Sequence, residues 1–259
     1  VPIIEHPDVR RMLLWMKAMT DGMRSMVYSA AFWSDLALEM PEGRAKRHYQ
    51  ALTEFITPLV KAYCSDMGFR VCETAIQCLG GYGFCQEYHL EQYLRDVKIA
   101  SLYEGTNGIQ SIDLMSRKME LDRGAPYRAF MDELGTFCKK NRDHPVLGAE
   151  IRLLAKVRAK LARVAKEMLE RKTSDPLQWA SYTYPVLLCF GEATLAWRLL
   201  DMALCAQRIM DGGKTTDYYL GKVKQATFLA QVTLPLTIAR LGTCVREGRE
   251  IVEIPQGAF

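Results

Sequence analysis

Apolar residues recur at steps of three and four along most of the chain and almost nowhere at alternating positions, so the pattern predicts an all-α protein. The longest seam comes first. Val9, Met12, Met16, Met19, Met23, Met26, Ala30 and Trp33 follow one face of a helix of about 30 residues, far above the usual ~11–12. His6-Pro7-Asp8 marks its start and Pro41-Glu42-Gly43 its end. A methionine stripe can line an adaptable ligand surface, but packing along other helices explains it more simply. A second helix is expected from Arg44 to Ile56. Thr57-Pro58, an N-cap followed by proline, is expected to open a third. That helix carries Leu59, Tyr63, Met67, Val71 and Ala75 on one face and stops at Gly80-Gly81. Gln86 to Leu94 reads as a short helix, and Val97 to Leu102 as irregular.

The second half is again helical, with helices expected at Tyr127 to Lys140, Val146 to Arg171, Leu177 to Met210 and Thr216 to Glu247. Asp143-His144-Pro145 and Ser174-Asp175-Pro176 read as starts, Gly212-Gly213 and Gly248 as stops. Pro185 and Pro235 are expected to shorten or kink the two longest helices. Gly124-Ala125-Pro126 is the best boundary, dividing the chain into a helical domain at 1–123 and a second, up-down helical bundle at 124–259. The tail Ile251 to Pro255 reads as an extended segment that docks or pairs.

Composition narrows the class. Hydrophobic content is 49% and charged content 25%, as in a globular domain. The net charge of +4 gives no argument for nucleic acid or an anionic membrane. No uninterrupted apolar run reaches membrane length; the best candidate, Phe228 to Leu241, contains Gln231, Pro235 and Arg240 and reads as a buried helix. Val1-Pro2 at the start, without an initiator methionine, reads as a cut end of a longer chain. The eight cysteines form no C-x-x-C pair and have no histidine at ligand spacing, so neither a metal site nor a redox dithiol is expected; a reduced, cytoplasmic protein is. Gly213-Lys214-Thr215 fails as a phosphate loop, because Arg208 stands where the first glycine belongs. Arg152, Lys156, Arg163 and Lys166 surround the seam Leu154, Val157, Leu161, Val164 and Met168. They read as a solvated basic face.

The most chemical stretch is Tyr103-Glu104-Gly105-Thr106-Asn107-Gly108-Ile109-Gln110. Asn107 is a good N-cap, with Gln110 where the reciprocal residue of a capping box belongs. Glu104 then sits on a loop just outside a helix N-terminus, beside a glycine that leaves space for a ligand. On spacing alone it reads as a capping carboxylate or as a general base. Gly80-Gly81-Tyr82-Gly83 follows a helix rather than a strand, and Gln86 takes the place of the third glycine of a dinucleotide fingerprint. It is a tight turn or a site of close backbone approach.

Taken in order, Gln77, Gly80-Gly81-Tyr82-Gly83, Arg95-Asp96 and Tyr103-Glu104-Gly105-Thr106 resemble the C-terminal helical domain of acyl-CoA dehydrogenases over roughly residues 5–120. His6 to Leu13 and the extra helical domain resemble large bacterial members of that family, such as methylmercaptopropionyl-CoA dehydrogenase-like enzymes. The resemblance implies α,β-dehydrogenation of an acyl-CoA thioester. Glu104 would be the catalytic base removing the proton beside the thioester carbonyl, and a hydride would pass from the next carbon to FAD. Gly105 would let the acyl chain pass. Thr106 would contact the flavin, and Gln77, Gly80 and Gly81 would approach the adenosine part of FAD held by a partner subunit. Gly108 departs from the family, where a glutamine is common. The family's N-terminal helical and middle β domains are absent, so this piece alone is expected to bind FAD weakly. The implied partners are an acyl-CoA, an electron-transfer flavoprotein or similar acceptor, and further copies of the chain in a homodimer or tetramer. Acyl-CoA oxidases, or an assembly module that has kept the family's shape without its chemistry, are the rival readings.

Overall fold

The computed structural model describes all 259 residues, and every regular element is helical. Helix α1 spans Pro7–Glu39, α2 Arg44–Leu79, α3 Leu90–Lys98 and α4 Asn107–Asp113. After a wider π-helical turn at Leu114–Lys118 come α5 Met119–Asn141, α6 Gly148–Ser174, α7 Pro176–Asp211, α8 Asp217–Thr243 and the short α9 Glu250–Glu253.

The seam on α1 is core: Met12, Met19, Met26 and Trp33 are buried, facing α2 along its length and α7 and α8 beyond. The two helices expected between Arg44 and Gly80 are one. α2 passes straight through Pro58, and Thr57 is no cap; its hydroxyl donates to the Thr53 carbonyl (2.7 Å) inside the helix. Proline inside a helix costs about 3 kcal/mol. Phe55, Ile56, Leu59 and Tyr63, all fully buried around it, return ~1.5–3 kcal/mol each and keep the helix continuous.

α7 is the axis of the fold. Val186, Leu187, Phe190, Leu195, Trp197 and Leu200 are buried on every side of it, and α1, α2, α4, α6 and α8 all pack against it. A helix apolar all round belongs in the middle of a protein. Gly191 sets the approach of α2, since a Cβ there would come within 2.4 Å of the Tyr63 ring. Both α7 and α8 continue helical through their prolines, Pro185 and Pro235. Their starts are as read: the Asp175 side chain accepts from the Gln178 N–H (3.3 Å) and Thr216 from Tyr219 (3.5 Å).

Several boundaries differ from the sequence reading. The Gln86–Leu94 helix lies at Leu90–Lys98 instead, and Ile99–Ser101 continues as a 3-10 turn. α6 opens at Gly148 rather than Val146, because His144 Nδ1 accepts from the Val146 and Leu147 N–H groups and closes a turn first. α8 ends at Thr243, short of Glu247. The tail coils into α9 rather than staying extended.

At Leu121–Gly124 the helical backbone breaks, with Asp122, Arg123 and Gly124 in the left-handed region. Two such non-glycine residues cost roughly 1–2 kcal/mol each. The hydrophobic core does not break there. Phe55 of α2 lies 4.7 Å from Phe130 of α5 and 5.4 Å from Phe190 of α7, and Trp197 packs on both Phe130 and Trp33 of α1. One contiguous cluster of buried side chains therefore joins the two halves.

Candidate active site

Glu104 lies on the loop between α3 and α4, in the left-handed backbone region at φ 56°, and Gly105 follows at φ 81°. A bulky residue in that region stores strain, which persists only where the surroundings fix it. Two contacts do so here. Gln110 Nε2 donates to the Glu104 carbonyl (3.1 Å), and Lys61 Nζ, reaching across from α2, donates to the Gly105 carbonyl (2.7 Å). The Glu104 carboxylate makes no hydrogen bond or ion pair, and the side chain is exposed. Leu102, Tyr103 and Ile109 present apolar surface beside it.

The cap of α4 is not the one read from the sequence. Thr106 is the N-cap, its hydroxyl accepting from the Ile109 N–H (3.3 Å). Gln110 clamps the Glu104 carbonyl rather than closing a capping box. Asn107 is buried and turned the other way, its amide donating to the Ala62 carbonyl (3.1 Å) and Ser65 Oγ (3.0 Å), and its oxygen accepting from Lys61 Nζ (2.9 Å). Two neighbouring residues could each cap this helix; the one that could also satisfy buried groups on α2 was drawn inward. Ser111 Oγ, 2.9 Å from Thr183 Oγ1, then ties α4 to the central α7. Lys61 is the residue that sequence reasoning missed. Nothing in the local pattern separates it from the other 33 basic residues. Burial pulls its ammonium below the ordinary value, while Asp66 and Glu104 pull the other way.

The remaining site residues sit elsewhere. Gln77 is sixteen residues beyond Lys61 on one continuous helix, a rise of about 24 Å, so Glu104, Gly105 and Thr106 form one group and Gln77, Gly80 and Gly81 another. In that second group Gly80 is at φ 58°, and a Cβ on Gly80 or Gly81 would meet nothing within 4 Å. The turn therefore offers bare backbone to solvent. Gly83, by contrast, is fixed by packing, since a Cβ there would strike the Ile76 carbonyl at 2.5 Å. A cavity of about 920 Å³, lined in part by Ile76, Phe84, Gln86 and Arg95, opens beside it. The bare backbone at Gly80 and Gly81, next to a cavity, leaves room for the flat face of a nucleotide.

Against known proteins, residues 1–119 match the family model described as acyl-CoA dehydrogenase, C-terminal domain. Residues 130–255 match the one described as acetyl-CoA dehydrogenase C-terminal like. The chain belongs to the acyl-CoA dehydrogenase family. It is 34% identical to 3-methylmercaptopropionyl-CoA dehydrogenase of Ruegeria pomeroyi over 90% of its own length and 40% of the relative's. It is 31% identical to a butyryl-CoA dehydrogenase of Syntrophomonas wolfei over 100% of its length and 43% of the relative's. It is 30% identical to the broad-specificity linear acyl-CoA dehydrogenase FadE5 of Mycobacterium tuberculosis over 100% and 44%. The chain thus spans about two fifths of these curated relatives. Two solved structures share the fold at 18% identity. Caenorhabditis elegans ACDH-11 in complex with C11-CoA matches at a TM-score of 0.68, over 97% of this chain and 41% of that one. An acyl-CoA dehydrogenase complexed with FAD from Bacillus anthracis matches at 0.66, over 96% and 43%. No helix is long and apolar enough to cross a membrane.

Proposed function

We propose that the chain is the C-terminal part of an FAD-dependent acyl-CoA dehydrogenase, and that Glu104 is the base that takes the proton from C2 of the acyl thioester. The observation that supports this best is the pairing of an unengaged Glu104 carboxylate with a backbone held at two successive carbonyls, those of Glu104 and Gly105. A base that must act on a bound substrate needs its own position fixed and its oxygens free. Gly105 fits beside it. A Cβ there would crowd Gln110 Nε2 (3.3 Å) as well as straining the backbone, so a side chain would disturb the clamp and fill the path of the acyl chain. Thr106 would face the flavin, while Gln77, Gly80 and Gly81 would hold the adenosine end in a neighbouring subunit. FAD, when bound, supplies the acceptor for the hydride leaving C3. We extend the reading to a division into working units at 1–123 and 124–259, a homodimer or tetramer, an electron-transfer flavoprotein or similar acceptor, and a cytoplasmic setting.

The test is anaerobic flavin bleaching by the full-length protein with a panel from butanoyl- to palmitoyl-CoA and 3-methylmercaptopropionyl-CoA. At least one should bleach the flavin, and Glu104→Gln should slow it by ~10²-fold or more with acyl-CoA binding retained. Bleaching of the Gln variant at the parent rate would refute the assignment, and loss of binding together with bleaching would make Glu104 structural.

A further inference from the structure

A groove between α5 and α6, on the far part of the chain from Glu104, carries charge that nothing in the dehydrogenase reading uses. It encloses about 480 Å³. Lys139, Arg142, Arg152, Lys156 and Arg158 line it, and no carboxylate does. Only Arg142 has an ion pair, with Asp143 at 3.6 Å on the rim. The floor is small and apolar: Cys138, Ala155 and Ala159. Burial raises the Cys138 thiol to about 11, against the pull of Arg158, so the floor is inert rather than nucleophilic.

Basic faces are common, and most are loose side chains in solvent. Two arginines here are built in. Arg158 Nε donates to the Met131 carbonyl (2.8 Å), and the guanidinium lies against α5 at Gly135, where a Cβ would come within 2.8 Å of its Cζ, Nε and Nη2. Arg152 Nη1 donates to the Arg142 carbonyl (2.7 Å), and a Cβ on Gly148 would sit 3.0 Å from that nitrogen. Each fork is thus anchored through one nitrogen to a backbone oxygen. Nη1 and Nη2 of Arg158, and Nε and Nη2 of Arg152, have no protein partner. Fixed guanidinium groups lose little entropy on binding, and their planar forks match phosphate oxygens two at a time. Lys139 and Lys156 add mobile point charges. Five cations with one rim acid repel one another until an anion enters, and the excess suits several negative charges rather than one.

We propose that this groove binds a small molecule bearing a di- or triphosphate. The volume lies within the ~300–1,000 Å³ of ordinary ligand sites. A phosphorylated lipid headgroup shares the chemistry, but a membrane-docking face also needs apolar side chains around it. Val146 is the one large apolar residue exposed between residues 113 and 176.

The test is calorimetric titration of the full-length protein, FAD-loaded, with sodium tripolyphosphate and with ATP at low and moderate salt. One saturable site is expected, weakening as salt rises. The Arg152→Gln/Arg158→Gln double variant should bind at least ~10-fold more weakly. Arg163→Gln/Lys166→Gln, on the exposed side of α6 outside the groove, should change binding by less than about 2-fold. If the arginine variant does not fold, Lys139→Gln/Lys156→Gln decides, since both lysines are exposed and make no bond within the protein; at least ~3-fold weakening is expected. No saturable binding, or equal loss in the variant outside the groove, would overturn the site. Binding to phosphatidylcholine vesicles containing phosphatidylinositol phosphate, without binding to tripolyphosphate, would overturn the soluble ligand.

Discussion

The central helix α7 and the stretch from Gly80 to Ile112 are built on opposite terms. Twenty residues of α7 are buried, and it packs against six other helices. α3, within the second region, has no buried residue, and Tyr82, Phe84, Tyr93, Ile99, Tyr103 and Ile109 around it stand exposed. One region carries the stability. The other carries the strained backbone and the free carboxylate, and polar contacts hold it from behind: Lys61 of α2 to the Gly105 carbonyl, Asn107 to the Ala62 carbonyl of α2, and Ser111 to Thr183 of α7. A reactive loop can therefore keep bare surface for ligands without weakening the fold, provided those contacts fix it from behind.

Substitutions on the two sides should separate accordingly. The largest effect belongs to the core. Phe190→Ala should cost about 3–5 kcal/mol in urea unfolding, because the ring is fully buried and packed edge-to-face against Phe55 and Phe130; a loss under ~1 kcal/mol would mean α7 is not the axis of stability.

Next is the buried charge at the interface of α1 and α8. Asp21 receives Lys17 (2.8 Å) and Lys222 (2.7 Å). Burial pushes its carboxyl up, but the two lysines outweigh burial and hold it below the ordinary value. A depressed folded value stabilises the fold above the unfolded pKa of about 3.9, and that contribution fades as pH falls through the lower folded value. Asp21→Asn should cost roughly 3 kcal/mol at neutral pH, leaving the half-buried Lys222 unpaired. The difference from the parent should shrink in acid below about pH 4. A pH-independent difference would contradict the ion pair as its source.

On the exposed side the balance reverses. Lys61→Met in the full-length protein should lower kcat about 10-fold with little change in KM, since the loop loses its clamp but no substrate contact. Lys61→Arg should recover part of it. Equal loss in KM would place Lys61 in substrate binding instead. Smallest of all, Phe84→Ser should shift stability by no more than ~0.5 kcal/mol. A larger loss in the isolated chain would show that the exposed aromatics are packed after all.

The fold was legible where one face dominates. The methionine seam of α1 and the helix starts near Asp175 and Thr216 follow from periodicity and start signals alone. Reading failed where tertiary burial overrode a local signal. Pro58 says stop, but the core on both sides of it says continue. Asn107 says cap, but buried acceptors on α2 pulled it in and left the cap to Thr106. The position of Glu104 before a helix was readable; the clamp that sets its backbone was not, because Lys61 lies 43 residues away in sequence.

The central claim is that Glu104 itself takes the C2 proton. It is tested most directly by anaerobic washout of deuterium from C2-labelled acyl-CoA in water, using full-length protein and the acyl-CoA that bleaches its flavin best. The parent should release the label to solvent. Glu104→Gln should bind the ligand yet release label at least ~10²-fold more slowly, and Glu104→Asp should fall between. Washout by the Gln variant at the parent rate would show that another group is the base.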